Sequence, residues 1–225
     1  MRAIGICLLV LLLSARVFAQ KNRYRFASTY FGVESEFLLE KNSFKYIDAA
    51  GQIKEGEIPS TIQPRFTIGG THFWGKADFY ISIPTSSIRF SGSEKASVSN
   101  GVLTGFRYLP IRLKQNATRF YLGGGLNEKT YRQKSLGGKT ADYSNWQWYA
   151  EAGLVYTTKS YSLWEIGARY FPSNSYQTFI SRELANQTQL SPFSFSVSYK
   201  KLFDFTSGYN SKESKKYMQK VMQEA

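Results

Sequence analysis

One cysteine, one histidine and six prolines are all that 225 residues hold of the types that most often build bridges, metal sites and kinks. Cys7 lies inside an N-terminal apolar run, so the chain that follows carries no thiol. Disulfides and thiol nucleophiles are thereby excluded from it. His72 stands alone, which leaves a zinc site without its usual histidine and cysteine ligands and a serine–histidine–acid triad without sequence support. After that first run no apolar stretch is long enough for a membrane-spanning helix. A phosphate-binding loop is missing too. Ser135-Leu136-Gly137-Gly138-Lys139-Thr140 has the right ending, but Gln133 stands where the first glycine belongs and a strand pattern follows where a helix is needed.

What is present begins with a leader. Met1–Ala19 joins a basic start at Arg2, apolar Ile4–Leu13 and an exit at Val17-Phe18-Ala19. This reads as a signal peptide, giving a mature chain from about Gln20; a short anchor helix is the alternative. Tyrosine and phenylalanine are abundant, and amphipathic aromatics suit the two edges of a bilayer.

Eight segments then carry a strand pattern: Phe26–Leu38, Gln63–Thr71, Ala77–Ile83, Val102–Leu109, Arg119–Glu128, Trp146–Tyr156, Tyr161–Tyr170 and Phe193–Leu202. Several alternate with period two. Ala77, Phe79, Ile81 and Ile83 share one face, Asp78, Tyr80 and Ser82 the other; Phe193, Phe195, Val197 and Tyr199 oppose Ser194, Ser196, Ser198 and Lys200. Connections alternate in length. His72–Lys76, Pro110–Thr118 and Thr157–Ser160 are short, whereas Leu39–Ile62, Pro84–Gly101, Lys129–Asn145 and Phe171–Pro192 are long and polar. The first long connection has room for its own hairpin, Phe44–Asp48 with Gln52–Ile58 around Ala49-Ala50-Gly51. The expected fold is all-β: an antiparallel, up-and-down, eight-stranded transmembrane barrel over residues 20–206, followed by a basic tail over 207–225. A soluble barrel with its oily face inward is the competing architecture, because alternation alone does not say which face is outside.

On these segments, and on Gly105-Phe106-Arg107-Tyr108 followed by Phe120-Tyr121-Leu122-Gly123-Gly124-Gly125, the chain resembles the small outer-membrane β-barrel superfamily of Gram-negative bacteria over about Arg25–Phe205. The resemblance implies residence in the outer membrane, with the termini and short turns on the periplasmic side. One departure is the tail. Such barrels commonly close on a terminal aromatic, and here the chain continues past Tyr199, Phe203 and Phe205.

If the oily face meets lipid, Glu34, Arg65, Asp78, Arg107, Glu151, Glu165, Arg169 and Lys200 face the lumen. Eight strands enclose a space that side chains just fill, so these balanced charges should pair into a polar plug. A channel gated by the same pairs is the alternative. The formal net charge of +13 is also unevenly placed: most of the excess falls on the short-turn side, at Lys76, Arg112, Lys114, Arg119, Lys159, Lys201 and both ends of the mature chain. There it can attract anionic lipid, or stand simply solvated. Nucleic acid is not an expected partner of an exported chain without a recognition motif. In the tail, Tyr217 and Val221 lie four apart opposite Lys212, Lys215, Lys216 and Lys220, which fits an amphipathic helix on a membrane surface or against a periplasmic protein; a frayed tail fits equally.

The function these readings imply is non-enzymatic and cofactor-free: loop-mediated binding, or a structural or assembly part in the outer membrane. The alternative is transport of small hydrophobic molecules through the barrel or sideways out of it. Phe44, Tyr46, Phe90, Tyr143, Tyr176 and Phe179 are the loop aromatics placed to meet such a ligand, or merely to pack.

Overall fold

In the computed structural model, residues 28–72, 76–134, 140–160, 162–179 and 185–203 are described, together with 216 and 220. The strands are β1 (Ser28–Leu38), β2 (Ser43–Ile47), β3 (Ile53–Glu57), β4 (Thr61–His72), β5 (Ala77–Pro84), β6 (Ile88–Arg89), β7 (Ala96–Tyr108), β8 (Ala117–Lys134), β9 (Thr140–Thr157), β10 (Ser162–Tyr170), β11 (Ser175–Phe179), β12 (Ala185–Gln189) and β13 (Phe193–Phe203). Antiparallel pairing runs β4–β5–β7–β8–β9–β10–β13–β1, and β1 returns to β4, so eight strands close into a barrel. Closure leaves these strands no free edge along the shared span.

Period two settles which face is which. Phe79, Ile81 and Ile83 on β5 are exposed, while Asp78, Tyr80 and Ser82 between them are buried. Phe31, Phe66, Ile68, Phe106, Phe120, Leu122, Leu126, Leu154, Ile166 and Phe195 continue this outward apolar belt. Trp146, Trp148, Tyr170 and Phe193 crown its loop end; Tyr108, Tyr156 and Trp164 border its short-turn end. A charge on that belt at mid-depth would cost about 2–4 kcal/mol, and the ionised groups are inside. The inward-oily soluble barrel is thereby overturned.

Two of the connections expected to be long and polar are largely strand. β7 begins at Ala96, and β8 and β9 pair from Ala117↔Thr157 up to Lys134↔Thr140, well past the tryptophan crown. Above it the outward face is polar and still paired across strands, with Thr130 Oγ1 2.7 Å from Ser144 Oγ and the Arg132 fork on Asp142 at 2.6 and 2.7 Å. Without oily alternation such a stretch carries a weak strand signal. A register shift between Asn100 and Leu103 absorbs the change where β7 leaves the crown.

Two hairpins stand at the loop end. β2–β3 forms in the first connection, its turn closed by Asp48 Oδ1 accepting from the Ala50 and Gln52 amides and by Gly51 at φ 79°. β11–β12 in the last connection had no sequence signature, because Ser175–Phe179 and Ala185–Gln189 are mostly polar.

Candidate functional site

The lumen is wired by charge. Arg169 forks onto Glu34, with Nη1–Oε1 and Nη2–Oε2 both 2.9 Å, and reaches Glu36 Oε1 at 3.1 Å. Arg65 meets Glu36 Oε2 at 3.2 Å and lies 3.8 Å from Glu34, while its Nη2 donates to the carbonyls of Ser82 and Gly101 at 2.9 and 2.6 Å. Arg107 donates to Glu151 Oε1 at 2.8 Å and to Glu165 Oε2 at 2.7 Å. Lys200 Nζ lies 2.8 Å from Glu165 and 3.9 Å from Asp78. Arg169 Nε, 3.5 Å from Glu151 Oε2, joins the two halves. All eight residues expected in the lumen are buried there, and they make one continuous network.

Tyrosines complete it. Tyr30 donates to Asp78 at 2.7 Å and Tyr80 to Glu151 at 2.8 Å, and the Tyr80 and Tyr149 hydroxyls are 2.8 Å apart. The Arg107 guanidinium sits over the Tyr80 and Tyr121 rings, 4.3 and 4.5 Å from their centroids. Three of these rings fit because each lies over a glycine paired with it on the neighbouring strand, Tyr30 with Gly69, Tyr80 with Gly105 and Tyr121 with Gly153. A Cβ on Gly69 would strike Tyr30, on Gly105 Tyr80 and Tyr149, and on Gly153 or Gly167 Tyr121. Gly69, Gly105, Gly153 and Gly167 are thus seats for rings.

The network lies between two apolar layers. Toward the short turns, Leu109, Leu113, Val155, Leu163 and Leu202 are buried and form a floor. Toward the loops, Leu38, Phe44, Ile58, Val98, Tyr131, Tyr176 and Leu190 form a second buried cluster, with Tyr46 and Tyr143 packed against it. This cap draws on β1, both hairpins and the upper reaches of β7 and β8. Tyr176 donates to the Lys129 carbonyl at 3.1 Å, and Ser191 is gripped by the Glu40 carboxylate at 2.6 Å and the Asn174 amide at 2.7 Å.

The structure therefore brings Phe44, Tyr46, Tyr143 and Tyr176 together in one packed cluster. Phe90 is apart from them and exposed. Its amide bonds the Ser60 carbonyl beside the Thr61↔Arg89 pair, and Thr61 also pairs Leu38, so its ring extends the outer edge of the belt. The side chain of Phe179 is outside the described part. His72 ends β4 at a short turn, exposed and edge-on to Phe79 at 5.8 Å. The tail contacts Lys212, Lys215, Tyr217 and Val221, and the leader, lie outside the described residues; Lys216 and Lys220 are helical and exposed.

Glu36 is the missed member, fully buried and shared by Arg65, Arg169 and Ser194. Its signal was there, two residues from Glu34 on the same face. Lys129 and Glu40, buried in the cap, were hidden in a segment expected to be loop. Burial pulls the Lys129 ammonium below its ordinary value and lifts the Glu40 carboxyl above its own, each offset in part by the other's charge. Among the described residues no three histidine, cysteine or acidic side chains are arranged to hold a metal. Every lumenal carboxylate is engaged by cations or hydroxyls, which suits a scaffold better than acid–base chemistry.

A closed antiparallel barrel of eight strands, oily outside and ionic within, is the architecture of the small outer-membrane barrels. Neisserial surface protein A superposes with a TM-score of 0.51 at 14% identity, over 79% of this chain and 99% of that one. OprG from Pseudomonas aeruginosa gives 0.48 at 14% identity, over 79% and 95%, and AlkL in lipid bilayers gives 0.49 at 13%, over 85% and 97%. At such identities the likeness is one of fold. No family model and no curated protein matches the sequence.

Proposed function

We propose that the protein is a non-enzymatic barrel of a Gram-negative outer membrane, exported behind a cleaved signal peptide, that holds a folded head outside the bilayer for binding a partner. The observation that carries this reading is the cap. Four of the loop aromatics that a hydrophobic-molecule transporter would present to its cargo, Phe44, Tyr46, Tyr143 and Tyr176, are packed into one cluster above a lumen crowded with ion pairs. A head with its own buried cluster offers a preformed surface, which suits a binding or scaffolding role.

Planar-bilayer recording tests it. The wild type should give no resolved channel steps, and Arg107→Ala with Arg169→Ala should introduce them by removing the cations that fill the lumen. Steady wild-type conductance would overturn the plugged reading. Saturable binding of a detergent-like ligand, lost on changing Phe90 and Tyr143, would restore transport in its place. Hydrolysis of outer-membrane lipid by the purified protein would end the non-enzymatic assignment.

A further inference from the structure

The two ends of the molecule carry charge differently. At the loop end both signs of charge are interspersed, Glu55, Glu57 and Glu94 among Lys41, Lys45 and Lys95, and two pairs close, Lys54 on Asp48 at 2.8 Å and Arg132 on Asp142 at 2.6 Å. At the short-turn end the described residues include Lys76, Arg112, Lys114, Arg119, Lys159 and Lys201 and no surface acid. Like charges held together raise the local potential, and an anion from outside relieves it.

Hydrogen bonds between the turns gather these cations into one arc. The Gln115 amide donates to the Lys159 carbonyl at 3.1 Å and the Asn116 amide to the Thr157 carbonyl at 2.7 Å, with Asn116 at φ 53° bending the chain back into β8. Arg119 donates to the Arg112 carbonyl at 3.2 Å, Lys201 reaches the carbonyl of Ser160, and the Leu109 amide bonds the Lys76 carbonyl at 2.8 Å. The arc also lies at a defined height. Arg119 directly precedes belt residue Phe120, Lys201 lies two residues from Tyr199, whose ring packs on Trp164 at 4.9 Å, and exposed Ile111 precedes Arg112.

We infer that this arc is a docking surface for anionic phospholipid head groups in the leaflet next to the short turns. Charge of one sign at the edge of the apolar belt meets a head group whose acyl chains lie along that belt. A free anionic glycan would instead be met further out. With the orientation above, the leaflet is the periplasmic one. The inference rests on the membrane placement of the barrel and on nothing about the head.

Native mass spectrometry of the full chain, loaded from mixed micelles holding phosphatidylglycerol and phosphatidylcholine in equal amounts, tests it. The wild type should retain phosphatidylglycerol about tenfold over phosphatidylcholine, the preference falling with added salt. Arg112→Gln with Lys114→Gln, and Lys159→Gln with Lys201→Gln, should each lose part of that preference, and their combination most of it. Lys-to-Arg exchange at the same positions should keep it, and Lys41→Gln with Lys134→Gln at the loop end should leave it unchanged. Heat-modifiable migration on gels reports whether each variant has folded, so failure of the barrel itself shows separately. Equal retention of the two lipids by folded wild type overturns the inference. So does a preference that survives loss of the arc, or one replaced by binding of soluble peptidoglycan fragments.

Discussion

Below the Trp146–Trp148 crown the barrel is oily outside around an ionic network laced with tyrosines, and above it the same strands are polar outside around a mainly apolar cluster that also buries Glu40 and Lys129. β8 shows the change within one element: Phe120, Leu122 and Leu126 face out beside buried Tyr121, then Thr130 and Arg132 face out beside buried Tyr131. The backbone ladder is continuous; the solvent is not. In the span, lipid claims the oily residues for the outside, and the inside is left to groups that must satisfy one another. Past the crown, water claims the polar residues and the inside collects hydrocarbon as in a soluble protein. Burial in the lower storey is thus directional and partner-specific, while burial in the upper one is additive and tolerant.

The sharpest way to break the contrast is in the lower storey. Arg107→Ala strands Glu151 and Glu165 without their shared guanidinium and should cost about 3–5 kcal/mol of barrel stability, measured by urea titration of the folded band in vesicles. A loss below about 1 kcal/mol would mean that water already solvates these charges.

Phe44→Ala in the upper storey should cost about 3 kcal/mol, but locally. Amide exchange ought to quicken in β2, β3, β11 and β12 while β10 and β13 stay protected. Protection lost evenly along the barrel would show that cap and plug form a single cooperative unit.

Tyr176→Phe removes one buried donor and leaves the Lys129 carbonyl without that bond, for about 1 kcal/mol in the same exchange experiment.

The smallest effect is pH. Glu40 holds its proton more tightly in the folded cap than when unfolded, because burial outweighs Lys129 and the Ser191 amide. Its contribution is therefore complete below the ordinary carboxylate range and lost as pH rises through the lifted value. Cap protection should decline in the wild type as pH rises from the ordinary carboxylate range through the lifted value, and stay level in Glu40→Gln. A wild-type profile that rises over this interval would reverse the assignment.

How far the sequence was legible follows the same division. In the span, oily alternation over stretches such as Ala77–Ile83 announced strand, register parity and facing at once, and the eight lumenal charges followed from parity. Which acid meets which base did not, since Glu34 finds Arg169 only through the stagger of closed strands. Above the crown parity carries no oily signal, so Ala96–Gly101 and Lys129–Lys134 passed for loop, β11–β12 went unseen, and Lys129 with Glu40 stayed hidden. Phe44, Tyr46, Tyr143 and Tyr176 were visible as aromatics, but only the fold shows that they pack on each other.

Glu34 on β1 and Arg169 on β10 are 135 residues apart, and Glu36 and Ser194 are 158 apart. Until the last hairpin is in place, therefore, the two acids of the first strand share a single cation, Arg65 of β4. A half-made sheet cannot rest in a bilayer on those terms. Insertion and seam formation have to proceed as one event, guarded by whatever machinery delivers the chain.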